Sequence, residues 1–503
     1  MKRKNLLFLL LLAFIAPWAA NAQSQEIVGM RTQKTFITQG YWNEPNNWDP
    51  VGVPTIDDDV IIAAKDTIPS GVIAEANMIT FATANDTLFI ASGGQLVTNH
   101  NVVQAKVIKR ISGWDSFSAG NDDPIGEDNG GEIKIDDETI FRFYLITNPL
   151  NTQNGNPVSY KMITNPEGSY DLYTWDYTEE LEWRNYRLQN PTNFSMANGT
   201  GYLYANINSV DLKFPGVVRA NDVVEEIQLD YTENGEYDFN GWNLIGNPFM
   251  CEVYVNVPYY RMNELGWDII LANMNDSIAP MEGFFVQATE EGQSVTISRE
   301  RIAKSGQLNM TLSSGRNTMD KAIIIFGEGS NLSKFQLNPN CSKVYMTKDG
   351  KDYAVLSADN QNEIPVNFKA GHNGTYTLSF TTEEVSLGYL HLIDNMTGAD
   401  VDLLQNPSYT FEAQTTDYTS RFRLVFATGN NNGSDSFGFF SNGNFIISNE
   451  GEATVQVVDV TGRILSSETI NGCASLSVNG AAGVYMIRLI NDDNVKIQKV
   501  IIK

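Results

Sequence analysis

An all-β protein of several tandem domains is what this sequence predicts, and three observations predict it. Short β-branched or aromatic runs recur along its 503 residues, among them Asp59-Val60-Ile61-Ile62, Ala322-Ile323-Ile324-Ile325-Phe326 and Phe422-Arg423-Leu424-Val425-Phe426. Asn-Gly pairs punctuate these runs from 129–130 to 479–480, and Asn-Gly suits the positive φ of tight hairpin loops. Sustained apolar spacing at i, i+3 and i+4, the mark of a helix, is rare. Dense turns of this kind favour antiparallel sheets over βαβ units. A chain this long also exceeds what one hydrophobic core serves.

The elements follow in order. Residues 1–22 have the layout of a signal peptide: the basic Lys2-Arg3-Lys4, an apolar run from Leu6 to Ala20, and the small residues Ala20-Asn21-Ala22. That run is too short for a comfortable permanent anchor, so no transmembrane anchor is expected in the mature chain. Residues 23–110 carry Trp42, Trp48 and short strands. The stretch from Ile79 to Val97 resembles rungs of a short parallel β-helix. An acidic, glycine-rich loop spans 111–139.

Residues 140–304 contain an internal repeat. Leu145-Ile146-Thr147-Asn148-Pro149 matches Leu244-Ile245-Gly246-Asn247-Pro248. Trp175-Asp176 matches Trp267-Asp268, and Met196-Ala197 with Gly201-Tyr202-Leu203 matches Ile278-Ala279 with Gly283-Phe284-Phe285. The order holds while the spacing shrinks, as expected of a duplicated β unit whose loops differ. Residues 305–428 read as a β-sandwich, 429–439 as a polar linker, and 440–503 as a compact, Ig-like hairpin array.

Charge excludes whole classes of partner. With 34 Lys+Arg against 60 Asp+Glu the net charge is −26, which argues against nucleic-acid binding and against an electrostatic hold on anionic lipid. The single cysteines Cys251, Cys341 and Cys473 are far apart and form no metal-type pair.

The C-terminal array carries the most specific motifs: Val458-Asp459 with Gly462-Arg463, Leu476 with Gly483-Val484-Tyr485, and the terminal Lys499-Val500-Ile501-Ile502-Lys503. In that order, at the end of the chain, they resemble the type A C-terminal sorting domain of Bacteroidetes type IX secretion cargo. The resemblance implies that Asp459, Gly462, Arg463, Gly483, Tyr485 and Lys499 form the sorting signal, read by the type IX machinery. It further implies entry to the periplasm and passage across the outer membrane. The tail is then removed, and the body is released or held at the cell surface.

No catalytic set is recognisable. His100, His372 and His391 show no zinc spacing and no Gly-x-Ser-x-Gly elbow accompanies them. Neither a phosphate-binding loop nor a dinucleotide fingerprint occurs. No cofactor is expected. Calcium is the one ion the acidic turns would suit, at Asp57-Asp58-Asp59, at Asp122 to Glu132, or at Asp230 to Gly235. Flat aromatic rings stack on sugar faces, so Trp175, Trp183 and Trp267 are the candidates for glycan contact, with core packing the competing role. The function expected is that of a secreted or surface β-modular protein for adhesion, glycan binding or architecture. The alternative is a secreted hydrolase of polysaccharide or protein.

Overall fold

The computed structural model describes residues 32–99, 103–113, 134–135, 138–139, 142–151, 170–185, 196–220, 225–233, 239–264, 266, 268–273, 275–301, 305–327, 329–358, 361–428, 437–441, 443–477, 482–491 and 494–502. Among the described residues there is no α-helix, only one 3-10 turn at Pro45–Asn47.

Residues 33–111 wind into a short parallel β-solenoid. One face stacks Gln33–Phe36, Asp59–Ile62 and Met78–Phe81 in parallel. A second stacks Gly40–Tyr41, Asp66–Ile68, Leu88–Ile90 and Val103–Ile111, and a third pairs Ile73–Ala76 with Gln95–Thr98. The β-helix rungs expected between Ile79 and Val97 are therefore present. Alternation sends every second side chain inward, so Ile68, Ile90 and Val107 align in one buried row across the coils. In the first coil Trp42 and Trp48 meet edge-to-face at 4.9 Å, and Trp48 Nε1 donates to the Trp42 carbonyl at 2.8 Å.

Val210–Val218 ends the stack by pairing antiparallel along all of Val103–Ile111, which covers an edge that would otherwise template further strands. This long-range pairing means the boundary expected at 110 does not divide the core. Ile146, Leu150, Tyr170, Met250 and Met281 belong to the same apolar cluster as Phe36, Ile62 and Ile90.

One residue inside the solenoid breaks its apolar rule. Asp66 sits in register between Gly40 and Leu88, is fully buried, and neither carboxyl oxygen has a side-chain or backbone partner that meets hydrogen-bond geometry. Burial pushes its carboxyl up to about 8, against a smaller opposing effect of the Thr67 amide. The folded state thus keeps a proton that the unfolded chain has released, so stability falls as pH rises from about 4 to about 8, by roughly 1.4 kcal/mol per unit at most. Asp66→Asn, neutral throughout, is expected to unfold at higher denaturant than the parent, with the gap widening from acidic to mildly alkaline pH. Parallel pH profiles for the two proteins would contradict this.

The internal repeat is real in three dimensions. Phe143–Thr147, Gly201–Asn206, Tyr170–Trp175 and Trp183–Asn185 form one antiparallel sheet in that order. Trp242–Gly246, Gly283–Gln287, Tyr260–Met262 and Ile269–Leu271 form another with the same connectivity. Leu145 faces Leu203 in the first sheet as Leu244 faces Phe285 in the second. The Asn-Pro corners match as well. Asn148 Oδ1 accepts from the Leu150 amide at 3.0 Å, and Asn247 Oδ1 accepts from the Phe249 amide at 2.9 Å. Asn148 Nδ2 donates to the Met196 carbonyl and Asn247 Nδ2 to its counterpart on Ile278. Both asparagines are fully buried, so they are structural groups satisfying the corner's backbone.

One matched pair fails. Tyr173 pairs with Leu203 and Tyr260 with Phe285, so strand register makes Met262, not Trp267, the counterpart of Trp175. Trp267 itself lies outside the described residues.

The two units face each other across a pseudo-twofold axis. Ile146 bridges to Glu282, and Ile245, its counterpart, bridges to Thr200, the counterpart of Glu282. The Thr147 amide donates to the Met281 carbonyl and the Gly246 amide to that of Gly199. Reciprocal contacts of this kind are the signature of an isologous interface. Thr147 and Gly246 meet at the axis, where a Cβ on Gly246 would lie 2.3 Å from that of Thr147. Gly246→Ala is therefore expected to cost about 3 kcal/mol through overpacking. Adding Thr147→Gly should recover part of that loss, because the axis then again holds one side chain. Chemical denaturation of the two variants checks this.

Residues 306–428 form one eleven-stranded sheet folded over a core of Leu308, Ile324, Val366, Phe411 and Leu424. The boundary expected at 304 is also bridged, since Leu145, Leu244 and Phe285 share a cluster with Ile323, Phe335 and Val355. The terminal module has its own core of Phe437, Phe445, Val455, Ile487 and Val500. Phe437 is buried, and Gly438–Ser441 pairs with Asn444–Ile447. Residues 437–439, just ahead of the expected start at 440, thus pack with the module.

Candidate functional site

A cleft of about 690 Å³ opens between the first repeat unit, the strand Glu225–Gln228 and the start of the second unit. Its apolar side is aromatic: Trp175, Tyr177, Tyr231 and Trp242. Its polar side carries Asp176, Thr178, Asn198, Glu225, Glu226, Gln228 and Asp230. Trp175 ends its strand at the cleft, and its Nε1 donates to the Trp242 carbonyl at 2.7 Å. Behind it stand Trp183 at 4.9 Å, Phe285 at 5.1 Å and Phe239 at 5.6 Å, all edge-on. Such edge-to-face contacts fix the indole plane.

Of the three tryptophans singled out from sequence, the structure brings Trp175 and Trp183 together and gives only Trp175 to the cleft. Trp183 packs against Phe285 at 6.0 Å and does not line it. The glycan reading missed Tyr177, Tyr231, Glu226 and Asp230, of which Asp230 and Tyr231 were read only as part of a calcium-type turn. They come from two separate segments and share no motif. Asp230 is positioned by Asn243, which exchanges hydrogen bonds with its backbone at 2.8 and 2.9 Å.

The carboxylates are pinned. Asp176 accepts from the Thr178 hydroxyl at 2.5 Å and amide at 3.1 Å, and pairs with Arg184 at 3.0 Å. Burial alone would raise its carboxyl, but those bonds outweigh it and hold the group below the ordinary carboxylate range. It stays ionised, the opposite of what a general acid for glycoside cleavage requires. Glu225 pairs with Arg219, and Glu226 accepts from the Ser294 hydroxyl at 2.5 Å. Tyr177 and Trp242 are buried, so Trp175 and Tyr231 are the rings left to meet a ligand, and two aromatic rings beside a polar rim suit a polyhydroxylated one.

Elsewhere, Asp58 accepts from the Thr55 amide and hydroxyl, and Asp59 from Asn77. The acidic stretch Asp122 to Glu132 lies outside the described residues. Among those described, no three His, Cys, Asp or Glu side chains converge on a metal position. His391 Nδ1 lies 2.7 Å from Asp400 and its ring stacks on Tyr389 at 4.1 Å, while His372 Nδ1 contacts the Tyr376 hydroxyl at 3.1 Å.

The terminal module gathers its sequence motifs into one corner. Asp459 accepts from the amides of Thr461 and Arg463 and from Arg463 Nε, closing a turn in which Gly462 takes φ 87°. Those bonds, led by the Thr461 hydroxyl, bring its carboxyl down to about 2. Asp459, Tyr485 and Val500 are neighbours in register across three strands. Lys499 pairs with Met486, and Gly483 with Ile502 at the end of the sheet. Tyr485 and Val500 thus sit in the module's core, while the exposed Lys499 faces the other side of the sheet.

Fold and terminal module together define an exported, multi-domain β protein. More particularly, residues 441–503 match the secretion system C-terminal sorting domain. The chain is a type IX secretion cargo protein, carried across the outer membrane to the cell surface or beyond, and its sorting domain engages the type IX machinery. No helix among the described residues is long and apolar enough to cross a membrane. Residues 35–257 match a domain of unknown function, DUF8693, a span covering the solenoid, the first repeat unit and the start of the second. No curated protein matches the chain. Among solved structures, the BSP domain of a biofilm associated protein aligns over 80% of this chain and 93% of that one, at 9% identity and a TM-score of 0.14. A score that low reflects no shared overall superposition.

Proposed function

We propose that the body of this cargo protein is a carbohydrate-binding adhesin that holds a glycan in the cleft between its two repeat units. The observation that carries this reading is the cleft's composition, with Trp175 and Tyr231 beside Glu226 and Asp230. Aromatic faces supply stacking area, while oriented carboxylates accept from sugar hydroxyls. The ionised, ion-paired Asp176 favours binding over hydrolysis. Residues 1–22 act as the signal peptide, and the tail is a type A signal of a Bacteroidetes cargo, removed after delivery.

Glycan-array screening of the mature chain, followed by calorimetry on the hits, tests the reading. Glu226→Gln with Asp230→Asn should weaken a hit by 10-fold or more, roughly 1.5 to 3 kcal/mol for lost charge-assisted hydrogen bonds. Both side chains are on exposed residues, so folding should be unaffected. Unchanged affinity in the double variant would place the ligand elsewhere, and turnover of the glycan would make the protein a hydrolase.

A further inference from the structure

Beneath the second repeat unit lies a buried group of side chains that the cleft does not use. Lys334 follows the short strand Leu332–Ser333, and Asp320 lies in the strand Asn317–Phe326. Their side chains are only 2% and 4% exposed. Lys334 Nζ is 2.6 Å from Asp320 Oδ1 and 2.5 Å from Oδ2, so the amine lies against the carboxyl carbon's two oxygens at once. Oδ2 also accepts from the Val344 amide at 2.7 Å. Tyr260, whose ring centre is 5.9 Å from Nζ, walls the site together with Phe335.

We propose that Lys334 Nζ and Asp320 Cγ become joined by an amide bond once the chain has folded. An ion pair buried this far from water is costly, because the attraction repays desolvation only partly. Proton transfer along the short contact turns the pair into a neutral amine and a carboxylic acid. The amine lone pair then adds to Cγ, and the Val344 amide stabilises the charge that develops on Oδ2. The Nζ–Cγ bond forms, the Cγ–Oδ1 bond breaks, and the hydroxyl with one amine proton leaves as water. No oxidant, reductant or cofactor enters. Removing water and two buried charges drives the condensation, and holding the atoms in contact supplies the effective concentration.

The surroundings suit this chemistry. Burial raises the Asp320 carboxyl despite the opposing pull of Lys334, favouring the protonated form from which hydroxide equivalents leave as water. A second buried carboxyl, Asp268, is held by the amides of Ile269 and Leu337 at 2.8 and 2.9 Å. Burial pushes it up to about 6, against those bonds and one from Cys341. Tyr260 and Cys341 both sense the charge of Asp268 and of Asp320, so the two buried carboxyls lie close together. The product would covalently tie two strands of the sheet directly under the repeat units, a fitting reinforcement for a protein held outside the cell.

Intact-mass measurement of the denatured full-length protein, purified after folding, reads the bond directly. The parent is expected to be lighter than its sequence by one water. Proteolysis should yield a branched peptide joining the segments around Asp320 and Lys334. Lys334→Arg keeps the positive charge but removes the nucleophile, and should return to its full sequence mass without the branched peptide. A parent at full sequence mass would overturn the proposal. So would a loss of water that persists in Lys334→Arg, since it would then arise at another site.

Discussion

A chain ending at Thr428 accumulates in the periplasm, and its surface-exposed fraction falls to background. The expectation rests on the terminal module being both the address and a separate core. Phe437, Phe445, Val455, Ile487 and Val500 pack with one another and not with the body's main cores, so removing the module leaves those cores intact. The cut must precede Phe437. A truncation after Phe439 would leave a buried-type phenylalanine and half of the Gly438–Ser441 strand without the Asn444–Ile447 partner, adding an exposed edge to the phenotype. The body does contact the module through Ile393, Val425 and Ala427 against Ile446, with Phe439 and Cys473 alongside, and Ser441 Oγ donates to Glu363 at 2.7 Å. Truncation uncovers that small patch, so a modest loss of body stability accompanies the export defect. Fractionation combined with surface proteolysis of intact cells separates the two. Protease-accessible truncated protein on whole cells would contradict the assignment of the tail as the sole address.

Arg421→Ala should cost the 306–428 domain about 3 to 5 kcal/mol, the penalty for stranding one member of a buried ion pair. Arg421 and Asp394 are both almost fully buried. The guanidinium reaches Asp394 through Nε at 3.2 Å and Nη2 at 2.9 Å, and donates from Nη1 to the Glu412 carbonyl at 2.8 Å. Its Cζ also lies 4.4 Å from the Phe411 ring centre, so truncation removes packing as well as charge. Burial would raise the Asp394 carboxyl, but Arg421, the Met396 amide and the Tyr409 hydroxyl hold it below its ordinary value. The sign follows: this stabilisation is present above the ordinary carboxylate range and is lost as pH falls through the depressed folded value. The gap between parent and variant in urea unfolding should be largest near neutrality and narrow from about pH 4 downward. A pH-independent gap would mean that packing, not the ion pair, carries the effect.

What the sequence revealed, and what it hid, divides along locality. Hairpin turns, solenoid rungs and the sorting motifs are local patterns, each fixed by a few adjacent residues, so they could be read directly. The repeat was readable through Asn148 and Asn247, because each asparagine satisfies the backbone of its own corner in the same way. Trp175 and Trp267 misled for the opposite reason. A Trp-Asp string at a hairpin carries no such geometric demand, and only strand register assigns Met262 as the true counterpart. The pairing of Val103–Ile111 with Val210–Val218 joins segments about a hundred residues apart, and nothing in either strand names its partner. The cleft was hidden likewise. Its walls come from Trp175 to Thr178, Glu225 to Asp230 and Trp242 to Ile245, three segments with no shared motif, brought together by the pseudo-twofold packing of the two units. Asp66 shows the limit of polarity as a guide, since an acid in an alternating strand reads as solvent-facing while the solenoid buries it.

Hydrogen-exchange mass spectrometry of the mature chain, alone and with a glycan that it binds, locates the bound ligand. Slowed exchange confined to residues 175–178, 225–231 and 242–245 is the predicted result, because backbone amides in those three segments close around the cleft. Protection confined to the solenoid or to the 306–428 sheet, with those segments unchanged, would contradict it.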